Sequence, residues 1–205
     1  MPVIDDTYRT IASISEGLYK EKGSKFIALA YPVRSEEEVK EIMAKLRKDY
    51  HDARHHCYAY VIGAKGEHWR TNDDGEPSGT AGKPIHGQIV SKGVTNVLVV
   101  VIRYFGGTKL GVSGLINAYK TSAQDALNNA EIATRTVDNI YRVTFSYLAM
   151  NDVMKLVKDE DLIIIEQNFD TACSMVVRVR QSKSHIVSER IEKIDSASIN
   201  YLRTE

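Results

Sequence analysis

Val94-Thr95-Asn96-Val97-Leu98-Val99-Val100-Val101-Ile102-Arg103-Tyr104-Phe105-Gly106-Gly107 is the stretch that decides how the first part of this chain folds. It is rich in β-branched residues and has almost no polar interruption, a pattern that suits a strand over 94–105 covered on both faces. Gly106 and Gly107 end it. Leu115, Ile116, Tyr119, Ala123, Ala126, Leu127 and Ala130 then share one helical stripe, predicting a helix over about 113–130. Strand, glycine turn and helix therefore follow one another.

Upstream, two apolar stretches, Ile11 to Ile14 and Phe26 to Val33, flank the turn-prone Glu21-Lys22-Gly23-Ser24, so residues 10–33 read as a hairpin. Ser35-Glu36-Glu37-Glu38 has the form of a capping box, and Val39, Ile42, Met43, Leu46 and Tyr50 follow at helical spacing, predicting a helix over 36–50. Residues 56–63 alternate as a strand. Residues 71–84, Thr-Asn-Asp-Asp-Gly-Glu-Pro-Ser-Gly-Thr-Ala-Gly-Lys-Pro, hold two of the four prolines and no apolar period, and they read as one long loop.

Downstream of Val137 the pattern becomes denser. Strands are expected over 140–147, 162–168, 173–180 and 198–202, with helices over 151–158 and 186–194. That order is βαββαβ, the ferredoxin-like arrangement. Two domains follow, 1–137 and 138–205. The fold class is α+β.

Composition narrows the function classes. The chain has 205 residues, with 27 Lys and Arg against 27 Asp and Glu, so bulk charge announces no polyelectrolyte partner. Residues 1–137 hold 18 basic and 16 acidic side chains, and neither part is a basic arm or an acidic tail. Cys57 and Cys173 form no CxxC pair, which argues against a disulfide framework or thiolate zinc site. The acidic N-terminus lacks a secretory pattern, and the longest aliphatic run, Val97 to Ile102, is far too short to span a bilayer. A cytoplasmic protein without a membrane is expected.

Three places could hold chemistry. Around Arg103-Tyr104-Phe105-Gly106-Gly107-Thr108-Lys109-Leu110-Gly111-Val112-Ser113-Gly114, glycines between strand and helix let amides turn toward an anion, with Arg103 and Lys109 adding positive charge. The spacing matches neither the P-loop nor the dinucleotide fingerprint, and the same glycines equally permit tight strand-to-helix packing. Asp73, Asp74 and Glu76 could hold Mg²⁺ through oxygen, or merely build turns, and the turn is favoured. Against Lys83 and the flanking Arg70, these three negative charges would repel nucleic acid unless a cation intervened. His55-His56-Cys57 offers a thiol near imidazoles, but alternation puts Cys57 with Ala59 and Val61 in the core. Trp69 and Tyr104, flanking the loops, are candidate platforms on which bases stack.

Asp52-Ala53-Arg54-His55-His56-Cys57, the run from Asn72 to Pro84, and Val101-Ile102-Arg103-Tyr104-Phe105-Gly106-Gly107 together resemble the IMPACT family in its bacterial, YigZ-type form. The likeness continues through Lys109-Leu110-Gly111-Val112-Ser113-Gly114-Leu115 and Ala118-Tyr119. It implies an N-terminal domain of the ribosomal protein S5 domain 2-like type, similar to domain IV of elongation factor G and carrying an uncommon left-handed crossover, followed by the ferredoxin-like domain. It also implies translation regulation through RNA or the ribosome, with no catalytic residues to carry over. Eukaryotic members interfere with activation of a kinase during amino-acid starvation and carry an added RWD domain, and that partner interaction is not carried over.

The expected function is thus non-enzymatic RNA or ribosome binding. Arg103, Tyr104, Lys109, Lys83, Trp69 and the amides of Gly106, Gly107, Gly111 and Gly114 would contact the nucleic acid. No cofactor is expected beyond Mg²⁺ bridged by Asp73, Asp74 and Glu76. A metal-dependent enzyme acting on a phosphorylated small molecule, and a protein-interaction module using the open face of the C-terminal sheet, are the alternatives. Oligomeric state is not legible.

Overall fold

The computed structural model describes residues 6–169 and 173–205 as a mixed α/β protein. The acidic N-terminal stretch from Met1 to Asp5 lies outside the described residues. The chain divides into two compact units, Tyr8–Arg135 and a second one that joins Thr136–Glu205 to Asp6 and Thr7.

The first unit is built on an antiparallel five-stranded sheet ordered β2-β3-β6-β4-β5, with β2 at Ser15–Glu21, β3 at Ser24–Pro32, β4 at His55–Ile62, β5 at His68–Asn72 and β6 at Val97–Tyr104. The Val97 to Tyr104 strand sits at its centre, paired on both sides and buried through Arg103. Its alternate residues serve two cores. Leu98, Val100 and Ile102 meet α1 (Glu36–Asp49) through Val39, Met43 and Leu46, while Val97, Val99 and Val101 meet α2 (Gly82–Lys92) and α3 (Gly111–Asn128). A strand that is apolar on both faces is what a three-layer stack requires.

This layering has a topological consequence. The connections β3–α1–β4 and β5–α2–β6 each join parallel strands across one intervening strand, and they run in opposite directions along the sheet. Because their strands also point opposite ways while α1 and α2 cover opposite faces, the two crossovers have opposite hands. One of them is left-handed, against the strong general preference.

Local signals place most elements. Lys22 and Gly23, both at positive φ, make the two-residue turn between β2 and β3. Ser35 accepts the Glu38 amide at the start of α1, while the Glu38 carboxylate reaches back to the Arg34 amide. The structure departs from the sequence reading in three places. Ile11 belongs to β1 (Thr7–Ile11), which pairs with β7 (Ile132–Thr136) in a separate ribbon, so the hairpin begins only at Ser15. Strand β5 occupies His68–Asn72, just before and into the expected loop. Helix α2 starts inside that loop, at Gly82, and ends at the left-handed Gly93.

The edge strand β2 is closed by α3. The Leu18 amide donates to the Asp125 carboxylate at 2.8 Å, Asn129 Nδ2 donates to the Glu16 carbonyl, and Ser15 Oγ donates to the Ala126 carbonyl. Such cover keeps an edge from pairing with other chains. The approach is close because Gly17 has no side chain: a Cβ there would stand 2.2 Å from the Ala126 nitrogen.

In the second unit, β8 (Asp138–Phe145), α4 (Met150–Asp159), β9 (Ile163–Phe169), β10 (Cys173–Arg180), α5 (Ser184–Glu192) and β11 (Ser198–Thr204) follow in βαββαβ order. The sheet order is β11-β8-β10-β9, all antiparallel. Val143, Met175, Val177 and Val179 face Val153, Leu156, Val187 and Ile191 of the two helices. Asp6 locks into this unit, accepting Nε and Nη2 of Arg180 and the Ser182 amide. Among the described residues no helix is long and apolar enough to cross a membrane.

Two glycine substitutions test the packing. Gly17→Ala forces backbone against backbone and is expected to cost at least the roughly 1–3 kcal/mol typical of overpacking. Gly87→Ala, on α2 with nothing within 4 Å of its new Cβ, is expected to stabilise by about 0.5–1 kcal/mol. Urea unfolding of both variants measures the two signs.

Candidate functional site

The acidic loop and the end of β6 meet. Glu76 is buried, and its Oε1 accepts hydrogen bonds from Arg103 Nη1 and from the Tyr119 hydroxyl at 2.8 Å. His55 Nε2 lies 3.8 Å from the same oxygen. Residues 43 positions apart in sequence are thereby joined through one carboxylate oxygen. The Arg103 side chain is only 7% exposed, its guanidinium lies over Phe26 and Phe105 at 5.4 and 5.6 Å, and its Nε has no hydrogen-bond partner.

The other two carboxylates are engaged separately. Asp73 Oδ2 accepts the Gly79 amide, while its Oδ1 accepts the amides of Ala81 and Gly82 at 3.1 and 2.8 Å. It is therefore the cap of α2, supplied from nine residues upstream of Gly82. Asp74 holds Arg47 with Oδ1 at 2.9 Å and the His56 amide with Oδ2 at 2.7 Å, and its carbonyl accepts from His55 Nδ1. Burial raises the Asp74 carboxyl's pKa, but the His56 amide and the Arg47 guanidinium outweigh it and hold the group below the ordinary aspartate range. Among the described residues no group of three or more His, Cys, Asp or Glu is arranged to hold a metal ion. The three acidic side chains point to three different partners instead of converging.

Cys57 sits in the core, with Sγ 3.0 Å from the Asp73 carbonyl oxygen and 3.3 Å from the Tyr119 hydroxyl. Burial pushes its thiol far above the ordinary range, with nearby carboxylates adding to the effect, so it is a protonated, inert sulfhydryl. Burial likewise raises the Tyr119 phenol, helped by Cys57 and Glu76, which keeps it a neutral donor to Glu76. Tyr104 is tied to Asp52 through its hydroxyl at 2.9 Å.

The glycines divide by role. Gly106 packs: its amide donates to Ser24 Oγ, and a Cβ on it would stand 1.9 Å from the Gly23 carbonyl carbon. Gly107 and Gly111 take positive φ and would place a Cβ in open space. Residues 105–109 and 111–113 are exposed, α3 has no side-chain cap, and no acid stands in its first turn. Lys109 is exposed beside these amides and has no ion-pair partner among the described residues. The Gly114 amide is used by the first intrahelical bond, to the carbonyl of the N-cap residue Leu110.

Trp69 and Lys83 fall elsewhere. Trp69 pairs with Val61, which pairs with Val97, whereas Arg103 pairs with His55. Six residues of strand separate the two positions, roughly 20 Å at about 3.3 Å per residue. Trp69 instead stacks on His86 of α2, ring centroids 4.7 Å apart. His86 was not singled out by the sequence; only the unrecognised helix, with Ile85 and Ile89 turned inward, would have revealed it. The open face of the C-terminal sheet carries a groove of about 430 Å³ lined by residues including Arg142, Thr144, Glu166, Asn168 and Ser174.

The fold and the site define a two-unit α/β protein with an exposed glycine loop seated over a buried ion pair. Residues 22–127 match the Impact N-terminal domain. The chain belongs to the IMPACT family. It is 31% identical over 183 residues to the IMPACT family member YvyE of Bacillus subtilis, covering 89% of this chain and 84% of that one. It is also 31% identical to the family member YigZ of Escherichia coli, over 90% of this chain and 91% of that one. A solved crystal structure of a hypothetical protein superposes with a TM-score of 0.76 at 29% identity, covering 98% of this chain and 99% of the other.

Two measurements test the buried cluster. Glu76→Gln strands the Arg103 guanidinium without its counter-charge and is expected to cost about 3–5 kcal/mol, against about 1–3 kcal/mol for Tyr119→Phe, both read by urea unfolding at neutral pH. For Asp74 the folded pKa is the lower one, so its contribution is present above the unfolded value of about 3.9 and is lost as pH falls through the folded value. The stability gap between the wild type and Asp74→Asn is therefore largest near neutrality and closes in acid.

Proposed function

We propose that this chain is a non-enzymatic, translation-associated protein of the cytoplasm that binds RNA, free or on the ribosome, through the glycine loop of its first unit. The observation that carries the reading is the uncapped N-terminus of α3. Gly107, Lys109, Gly111, Val112 and Ser113 are exposed at the positive end of an 18-residue helix with no acid in its first turn. That combination suits a phosphate oxygen. Arg103 serves it from beneath as a brace, stacked under Phe105 and anchored on Glu76.

The architecture supports the same reading. The paired crossovers of opposite hand accord with a domain of the ribosomal protein S5 domain 2-like type, similar to domain IV of elongation factor G. The βαββαβ unit accords with a ferredoxin-like domain. The metal-dependent enzyme is less well supported, because Asp73 and Asp74 have both oxygens committed to amides and Arg47.

Lys109→Ala leaves the buried cluster intact and is the direct test. Binding of single-stranded RNA should weaken with rising salt, and the variant should reduce the slope of log affinity against log salt by about one. An unchanged slope would remove the glycine loop from the interface.

A further inference from the structure

The two edges of the five-stranded sheet are treated differently. Strand β2 is sealed by Asp125 of α3 and by Asn129, which caps that helix, whereas among the described residues no side chain hydrogen-bonds to the backbone of β5. On that open edge Trp69 is 59% exposed. One face of its indole is backed by His86 at 4.7 Å and an interplanar angle of 33°. Lys83 stands three residues before His86 and Val90 four after it, which puts all three on one side of α2. Lys83 is exposed and makes no ion pair among the described residues. The turn before β5 and helix α2 carry Lys65, Lys83 and Lys92 against Glu67, while Arg70, the next residue along the strand, stands on the other face of the sheet. Glu67 turns back to accept the Lys65 amide. An exposed, backed aromatic ring on a surface where lysines outnumber the single Glu67 fits a ligand with flat apolar rings and regular negative charge.

We propose that Trp69 and His86 form a stacking platform for an unpaired base of single-stranded RNA, with Lys83 contacting the adjoining phosphate. The inference rests on the RNA-binding reading and adds a second contact, roughly 20 Å along the sheet from the glycine loop. A stacked base must be unpaired, so this contact selects single strands over duplex and is tolerant of base identity. His86 supplies a rigid backing that holds the indole in one orientation, so that less side-chain freedom is lost on binding.

Trp69 is the single tryptophan of the chain, so its fluorescence reports this surface alone. A 3′-labelled oligouridylate of roughly 12 nucleotides, a length within the range one small binding domain covers, is titrated into the full chain at low salt. Label anisotropy reports total binding while indole emission reports the platform. The expected result is binding with quenched Trp69 emission, and neither effect of that size with a duplex of equal length. Trp69→Ala should weaken binding by about 5- to 150-fold, the range of one base stack, with an unchanged urea midpoint. Trp69→Phe should recover most of the affinity, and Lys83→Ala should lower the salt slope by about one. Binding by anisotropy with unchanged indole emission and an unaffected Trp69→Ala variant overturns the platform and leaves the glycine-loop reading standing. Absence of binding by both readouts overturns both. A Trp69 response to an oligoglutamate peptide with none to RNA assigns the surface to a protein partner and likewise overturns the proposal.

Discussion

A single buried oxygen, Oε1 of Glu76, holds the first unit's loops in register. It accepts from Arg103 on the central strand and from Tyr119 on α3, while Glu76 itself belongs to the loop leading into α2. Taking this ion pair out of water carries a desolvation cost, which the short guanidinium bond and the phenol offset. The return is positional: strand β6, helix α3 and the acidic loop have one arrangement in which neither charge is stranded. Asp73 extends the constraint by capping α2, and Asp74 extends it by gripping Arg47 and the His56 amide. The run Asn72 to Pro84 is therefore a connector whose three acids each secure a different neighbour.

That outcome changes how the charge of the chain should be counted. On paper Asp73, Asp74 and Glu76 oppose Lys83 and Arg70, and the formal charge is zero. In the folded unit Glu76 is buried and the carboxylates of Asp73 and Asp74 are bonded to amides and a guanidinium. Exposed lysines and arginines close by in sequence, Lys65, Arg70 and Lys83, have no such partners among the described residues. A neutral composition is thus compatible with a locally basic surface, because the acids of this loop are bonded internally, Glu76 to the equally buried Arg103 and Asp74 to Arg47, while Lys65, Arg70 and Lys83 are not.

The elements legible in the sequence were those with local signals. The double-faced apolar run of β6, the capping box at Ser35, the Lys22-Gly23 turn and the βαββαβ spacing after Val137 are all readable within a dozen residues of themselves. Helix α2 was hidden because its N-terminal cap is the distant Asp73 and its apolar face is only Ile85 and Ile89. Strands β1 and β7 pair across more than a hundred residues, and no window on either contains its partner. For the site, residue type carries no direction: Arg103 turns inward, Lys109 is exposed, and the glycines split between packing at Gly106 and open space at Gly107 and Gly111. Nothing in spacing tells a buried arginine from an exposed one when its counter-charge lies 27 residues away.

The separation of the two proposed contacts bears on the class of ligand. Glycine loop and Trp69 platform are fixed to one sheet, which cannot bring them together, because six residues of paired strand lie between them. A small phosphorylated metabolite could occupy one contact but not span roughly 20 Å. A flexible polymer with a phosphate at every unit can reach both, and its second contact forms at the high effective concentration set by the first. Two individually weak sites at fixed spacing therefore favour an extended single strand over a compact ligand. That preference arises from rigidity of the sheet, the same rigidity that the Glu76 oxygen imposes on the loops.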